Sequence, residues 1–132
     1  MNFDDELPHY NTRSGMHRVP EEGGERVTSP VFMWLEAVDI LLTRLGAAVP
    51  LQRVAAVSAS AQQHGSIYWK AGAQESLQAL GKDPSQGCLK DALQGCFAVT
   101  DCPIWADSST FPECEALEKA IAKALDPAAG KL

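Results

Sequence analysis

The chain has 132 residues, of which 45% are hydrophobic, so it is long enough for one domain with a packed core. Its formal net charge of −6, from 17 acidic and 11 basic side chains, argues against a nucleic-acid-binding protein, which would carry a basic surface. Its four cysteines form no C-x-x-C pair, so we expect no metal site. Its longest apolar stretch, near residues 31–42, is broken by acidic side chains, so we expect no membrane span.

The opening of the chain is charged and rich in glycine and proline. The sequence MNFDDELPHY has no apolar segment typical of a signal peptide, so we expect a cytoplasmic protein whose cysteines are reduced core thiols. Residues 16–19 predict a short extended piece, and the Glu-Glu-Gly-Gly sequence at 21–24 predicts a loop.

A long helix is predicted over residues 31–45. Ser29 is suited to cap it and Pro30 to occupy its first position, whereas Gly46 and Pro50 are typical of its end. Its few polar residues share one narrow stripe at helical spacing, so we expect most of the helix to be buried; they include Glu36, Asp39 and Thr43.

The middle of the chain predicts a buried strand followed by a polar group. Residues 53–58 contain the run Val-Ala-Ala-Val, which is apolar on both faces and favours a central parallel strand. The sequence Gln-Gln-His-Gly at 62–65 follows the carboxyl end of that strand, where open α/β sheets bind ligands. Gln63 and His64 are therefore candidate ligand-binding residues.

The rest of the chain alternates short elements and therefore favours an α/β layer structure. The predicted elements are strands at 66–69 and 98–100, helices at 73–80 and 86–96, and a last helix after Thr110. This last helix has a capping-box pattern and an apolar stripe formed by Leu117, Ile121 and Leu125, with Glu115 and Lys119 paired outside it.

Three blocks of sequence resemble the xylulokinase branch of the FGGY family of carbohydrate kinases. They are TSPVFMWLEAVDILL at 28–42, SASAQQHGSIYWKAGAQ at 58–74 and DCPIWADSST at 101–110, and the FDDELP sequence near the start fits the same register. The resemblance implies that residues 1–132 are part of the N-terminal domain of a much longer, two-lobed enzyme. That domain would have an actin-like, ribonuclease H-like fold and would lack its opening β-hairpin here.

The resemblance also implies the chemistry. The full-length enzyme would use ATP and magnesium to phosphorylate the sugar D-xylulose. No cofactor would bind to this chain alone, and no nucleic-acid or membrane partner is expected. The resemblance indicates no oligomeric state. The family's phosphate-binding motif, Asp-x-Gly/Ser-Thr, is not found in this sequence. Three sets of the family's functional residues would lie beyond Leu132: the catalytic aspartate, the nucleotide-binding residues and a sugar-contacting arginine. No catalytic residue is therefore expected within this chain.

Four positions match the sugar side of the family's cleft. His64 corresponds to a sugar-binding histidine, Gln63 maps into the same pocket, and the block with Trp105 and Asp107 lies close by. Relatives commonly have glycine where this chain has alanine at 59 and 61, and the added methyl groups would crowd the backbone there.

Other interpretations of these residues and of the chain stay open. His64 and Gln63 also suit a solvated polar turn, and Trp105 and Asp107 suit a core tryptophan and a helix-capping carboxylate. The chain itself is compatible with three functions: part of a D-xylulose kinase, a truncated product that binds a sugar or a partner without catalysis, and an unrelated α/β ligand-binding domain.

Overall fold

The computed structural model describes residues 1–61, 64–82 and 87–125 of the chain. These residues contain five α-helices and three β-strands, and two short 3-10 turns lie at Pro8–Tyr10 and Leu51–Arg53. In chain order the elements are α1 (Phe3–Glu6), β1 (His17–Glu21), β2 (Gly24–Pro30), α2 (Val31–Ala48), α3 (Ala73–Leu80), α4 (Leu89–Ala92), β3 (Asp101–Pro103) and α5 (Phe111–Leu125).

The three strands form one antiparallel sheet in the order β1-β2-β3. The predicted extended piece at 16–19 is confirmed as β1, and the predicted loop at 21–24 is the tight turn between β1 and β2. Gly23 has φ +82 in that turn, a backbone conformation that glycine adopts without steric penalty. Thr28 of β2 lies opposite His17 on one side and opposite Pro103 on the other, so β2 is the central strand.

The expectation of a central parallel strand at 53–58 is wrong. Residues 51–53 form a 3-10 turn, residues 54–58 are not part of a strand, and Val57 is 88% exposed. An apolar run becomes a strand only where another strand pairs with its backbone, and no described strand runs beside this one. The chain is therefore a mixed helix–strand structure with a small antiparallel sheet, not the expected parallel one.

Helix α2 begins where predicted, but Ser29 does not cap it. Ser29 is buried within β2, and its Oγ donates a hydrogen bond to the Gly15 carbonyl at 2.7 Å. The cap position is taken by Pro30, whose side chain makes no capping hydrogen bond. The serine hydroxyl therefore fastens the loop before β1 to the sheet.

Only the first half of α2 is packed in the core. Its buried residues are Val31, Met33 and Ala37, and Trp34 contacts both hydrophobic clusters of the described chain. From residue 41 onward the helix is exposed, so the prediction that most of it is buried is wrong. Its polar stripe faces another helix instead of solvent, because Glu36 and Asp39 bind residues of α4.

The elements in the second half are shorter than predicted. Helix α3 is confirmed at Ala73–Leu80, whereas only Leu89–Ala92 of the helix predicted at 86–96 is helical, and residue 86 lies outside the described residues. The strand predicted at 98–100 is displaced to β3, where it pairs with the end of β2. The strand predicted at 66–69 is reduced to one isolated bridge between Trp69 and Phe97.

The last helix is confirmed, but its apolar stripe is not buried. Leu117, Ile121 and Leu125, hereafter the α5 stripe, are 61%, 48% and 76% exposed. The ion pair outside it is present, with Lys119 Nζ 3.5 Å from Glu115 Oε2. Within the described ranges, no helix combines the length and apolar character needed to cross a membrane.

The cysteines only partly follow the expectation of core thiols. Cys96 and Cys102 are buried, Cys88 is half-buried and Cys114 is exposed, and all four are free.

Candidate functional site

A cavity of about 450 Å³ lies between the start of the chain, α2, the segment around His64 and the segment after β3. Its lining is mainly aromatic and aliphatic, with small residues on one side. The lining residues are Phe3, Trp34, Ser60, Ala61, Gly65, Ile67, Ile104 and Trp105. A concave site of this size and character is typical of small-molecule binding.

Backbone hydrogen bonds hold two of its walls together. The Ser66 amide donates to the Pro103 carbonyl at 3.2 Å, which places the segment around His64 beside the end of β3. Further along, Lys70 donates to Cys96 and Ala98 donates to Tyr68, both at 2.8 Å. The bonds from residues 66–70 to 96–103 bring two of the three matched blocks into one site.

His64 is exposed and lies between two lining residues, Ala61 and Gly65. Its φ of +63 puts it in the left-handed region, which L-residues other than glycine and asparagine seldom adopt and which costs roughly 1 kcal/mol or more. His64 itself is not among the residues that line the cavity, and its contact with a ligand stays a prediction. Gln63 lies outside the described residues.

Trp105 lines the cavity, and the segment that carries it is fastened along β2. The Ile104 amide donates to the Val27 carbonyl at 3.3 Å, and the Ser108 amide donates to the Glu25 carbonyl at 2.9 Å. The approach is close, because a Cβ added at Gly24 would lie 2.3 Å from the Ser108 carbonyl oxygen. Only a glycine at position 24 permits this packing.

Asp107 is turned towards the backbone of β2. Its Oδ2 accepts a hydrogen bond from the Val27 amide at 3.3 Å, and its Oδ1 accepts from the Ser109 amide and hydroxyl at 2.8 and 2.7 Å. Partial burial acts to raise the pKa of Asp107, but the hydrogen bonds from Ser109 and Val27 outweigh it and lower the pKa below its usual range. In this structure the carboxylate positions the turn that carries Trp105.

The cavity also contains residues that the sequence did not single out as site residues. Phe3 belongs to the FDDELP block, and its ring packs closely on Gly15, where a Cβ would lie 2.9 Å from Phe3 Cδ2. Trp34 belongs to α2. The available signal for Phe3 was the register of FDDELP with the matched blocks, and the available signal for Trp34 was its place inside the matched block at 28–42. Ala61, one of the two alanines at glycine positions, lies in the cavity wall.

A second polar cluster lies between α2 and α4, away from this cavity. Glu36 Oε2 accepts from Lys90 Nζ at 2.6 Å and from the Tyr10 hydroxyl at 2.8 Å, and His9 Nε2 lies 3.2 Å away. Burial acts to raise the pKa of Glu36, but these three contacts outweigh it and lower the pKa to about 2. The same contact with Glu36 raises the pKa of Lys90.

Asp39 completes the cluster by capping α4 from another helix. Its Oδ1 accepts from the Leu89 amide at 2.9 Å and its Oδ2 accepts from the Lys90 amide at 3.2 Å. The first amides of a helix have no partner within it, so this carboxylate satisfies them. The cluster explains the polar stripe of α2 as a packing surface.

Comparison with known proteins places the chain beside sugar kinases. No protein-family model matches it. It is 42% identical over 127 residues to xylulose kinase 2 of Arabidopsis thaliana, 43% over 122 residues to the xylulose kinase of Rattus norvegicus, and 40% over 120 residues to that of Saccharomyces cerevisiae. These matches cover 96%, 92% and 90% of this chain.

The chain is therefore similar in sequence to carbohydrate kinases. The chain is homologous to the xylulose kinases over nearly its whole length. It spans 22% of the length of the Arabidopsis and rat proteins and 19% of the yeast protein, so it corresponds to about a fifth of such an enzyme.

Proposed function

We propose that this chain supplies part of the sugar pocket of a D-xylulose kinase. In the full-length enzyme the γ-phosphate of ATP would be transferred to D-xylulose to give D-xylulose 5-phosphate. The observation that carries the proposal is the cavity, which is built from segments within the blocks that resemble xylulokinases. We also propose that the chain belongs to the FGGY-type, actin-like first lobe of a cytoplasmic, ATP-binding enzyme that uses magnesium. The similarity to xylulose kinases does not favour the non-catalytic alternative.

The apolar cavity lining suits the carbon face of a sugar, and the polar side chains of Gln63 and His64, next to lining residues in the sequence, suit its hydroxyls. A neutral imidazole at His64 donates from one ring nitrogen and accepts at the other, which matches two adjacent hydroxyls. Gln63 adds an amide that offers both donors and an acceptor. The aromatic side chains of Trp105 and Phe3 line the cavity and would pack against the C–H face of the ketose.

The contribution of this chain to the reaction is orientation. Holding the ketose so that its terminal hydroxyl faces the phosphate donor gains rate by replacing a random encounter with a fixed geometry. Among the described residues no group of three His, Cys, Asp or Glu side chains could hold a metal ion.

The test is a segment-swapped enzyme, in which this chain replaces the matched 122 residues of the rat xylulose kinase. We expect ATP-dependent phosphorylation of D-xylulose by the swapped enzyme and none by the rat enzyme from which the segment is deleted. A swapped enzyme that elutes as a folded protein, retains the circular dichroism of the rat enzyme and lacks turnover would contradict the proposal.

The sugar contact is tested in the same enzyme by His64→Ala. The lost hydrogen bond leaves sugar hydroxyls without a partner, which costs roughly 1–3 kcal/mol, about one to two decades in affinity. Calorimetric titration should show this loss for D-xylulose and nearly unchanged binding of ATP. The matched control is His9→Ala, which removes an exposed histidine outside the cavity. Unchanged D-xylulose affinity in His64→Ala would identify residues 62–65 as a polar turn only.

A further inference from the structure

His17, the first residue of β1, is placed between two hydrogen-bond acceptors. Its Nδ1 lies 2.9 Å from Asp101 Oδ1, and its Nε2 lies 2.8 Å from the Tyr10 carbonyl oxygen. A carboxylate and a backbone carbonyl accept hydrogen bonds, so the ring is the donor in either contact.

The two acceptors lie on two different segments that lead to the cavity, although neither Tyr10 nor Asp101 lines it. Tyr10 closes the 3-10 turn of the opening segment, which carries Phe3, and Asp101 begins β3, which leads to Trp105. Because His17 pairs with the central strand β2, its ring must reach across β2 to contact β3. The histidine therefore links the opening segment to β3 directly.

The opening segment is also fixed at a second point by Asp4. The Asp4 carboxylate accepts from the amides of Ser14 and Gly15 at 2.5 and 3.0 Å and from the Thr12 hydroxyl at 2.9 Å. Asp4 thus closes the loop within the segment, but these contacts do not reach β3. Among the described side chains, His17 makes the hydrogen bonds that join the segment to β3.

We propose that His17 is a positioning residue for the sugar cavity. Its ring, which hydrogen-bonds to both segments, fixes the distance between the cavity wall that contains Phe3 and the wall that contains Trp105. Its effect on D-xylulose rests on the proposed function, whereas its hydrogen bonds rest on the geometry alone. Asp101→Asn is the conservative variant, because an asparagine side chain can still hydrogen-bond to Nδ1 while the ring donates to the Tyr10 carbonyl.

The geometry is tested by NMR on the full 132-residue chain with ¹⁵N-labelled histidine. The chain has three histidines, so each ring is assigned by one substitution. We expect nuclear Overhauser contacts from the His17 ring to both Tyr10 and Asp101, retained to residue 101 in Asp101→Asn, and none to these residues from the exposed His64. Absence of either contact in the unsubstituted chain would overturn the proposal.

The positioning role is tested by kinetics in the segment-swapped enzyme. Loss of two hydrogen bonds in His17→Ala should raise the KM for D-xylulose about tenfold, with kcat and the KM for ATP little changed. His17→Gln should lie between this variant and the unsubstituted enzyme, and Asp101→Asn should stay close to the latter. His9→Ala, which removes another histidine paired with a carboxylate, is the matched control.

The two failures are distinguishable. If His17→Ala lowers turnover and both affinities together, or if His9→Ala has the same effect, His17 is a general structural residue and the proposal fails. If the unsubstituted swapped enzyme is folded but inactive, the proposed function fails, and the NMR experiment alone decides whether His17 links the two segments.

Discussion

The contact between Glu36 and Lys90 makes the stability of the chain sensitive to acid. The perturbation is Glu36→Gln, which keeps the shape and an acceptor for Tyr10 but removes the charge opposite Lys90. The folded-state pKa of Glu36, about 2, lies below its ordinary value of 4.5. The unfolded state therefore binds the proton more readily than the folded state, and this contribution to stability is present above about pH 4.5 and is lost as the pH falls towards 2.

The magnitude follows from the shift and from the exposure of the pair. A shift from 4.5 to about 2 corresponds to about 3 kcal/mol at 1.36 kcal/mol per unit. The side chains of Glu36 and Lys90 are 24% and 36% exposed, so solvent screens part of this energy. We therefore expect about 1–2 kcal/mol for the substitution near pH 6. The raised pKa of Lys90 reflects the same contact and is not added.

The assay is urea unfolding followed by tryptophan fluorescence at several pH values between 6 and 2.5. The difference in unfolding free energy between the unsubstituted chain and Glu36→Gln should shrink steadily below pH 4.5. The matched control is Glu118→Gln on the exposed helix α5, which should change stability by less than about 0.5 kcal/mol at every pH. A difference between the unsubstituted chain and Glu36→Gln that stays constant from pH 6 to 2.5 would refute the reasoning.

Three further predictions concern the turn after β3 and the surface. Asp107→Ala should cost about 1–3 kcal/mol in urea unfolding, because three hydrogen bonds lose their acceptor, and an unchanged midpoint would contradict the role of this carboxylate. Gly24→Ala should displace the turn at Ser108 and increase acrylamide quenching of tryptophan, whereas Gly81→Ala, whose methyl would meet an ordinary 3.8 Å contact, should not; equal quenching would count against the close packing. Replacing the three residues of the α5 stripe by glutamine should reduce self-association in sedimentation velocity at equal helix content. No reduction would show that this stripe does not mediate self-association.

Local signals in the sequence predicted several elements well. Helix α3 matches its predicted bounds, and α2 and α5 begin within a residue of theirs, because proline and the apolar periodicity are signals that act over a few residues. The strand predicted at 53–58 is absent because an apolar run indicates a tendency to be buried but does not identify a strand that could pair with it. The prediction that most of α2 is buried, which was based on its narrow polar stripe, was wrong for a related reason. Glu36 and Asp39 of that stripe bind α4, about fifty residues away.

The candidate site was predictable only in part. The structure brings Trp105 and the residues flanking His64 to one cavity, but the strand whose end was expected to place His64 there is absent, and contact of these residues with a sugar stays a prediction. Phe3 and Trp34 could not be separated from ordinary core residues, because an apolar side chain looks the same in a core and in a cavity wall. The bonds of Asp107 to β2 could not be foreseen, since Val27 is eighty positions away.

The cap that Asp39 places on α4 also bears on the order of folding. A helix of four residues cannot form by itself, because the first turn fixes several residues for one hydrogen bond. Its two capping bonds come from fifty positions earlier in the chain, and closing a loop of that length costs roughly 3–4 kcal/mol of chain entropy before any contact is gained. Helix α4 should therefore be absent from the folding nucleus and form only after α2 has docked, so that its contacts govern the rate of unfolding more than the rate of folding.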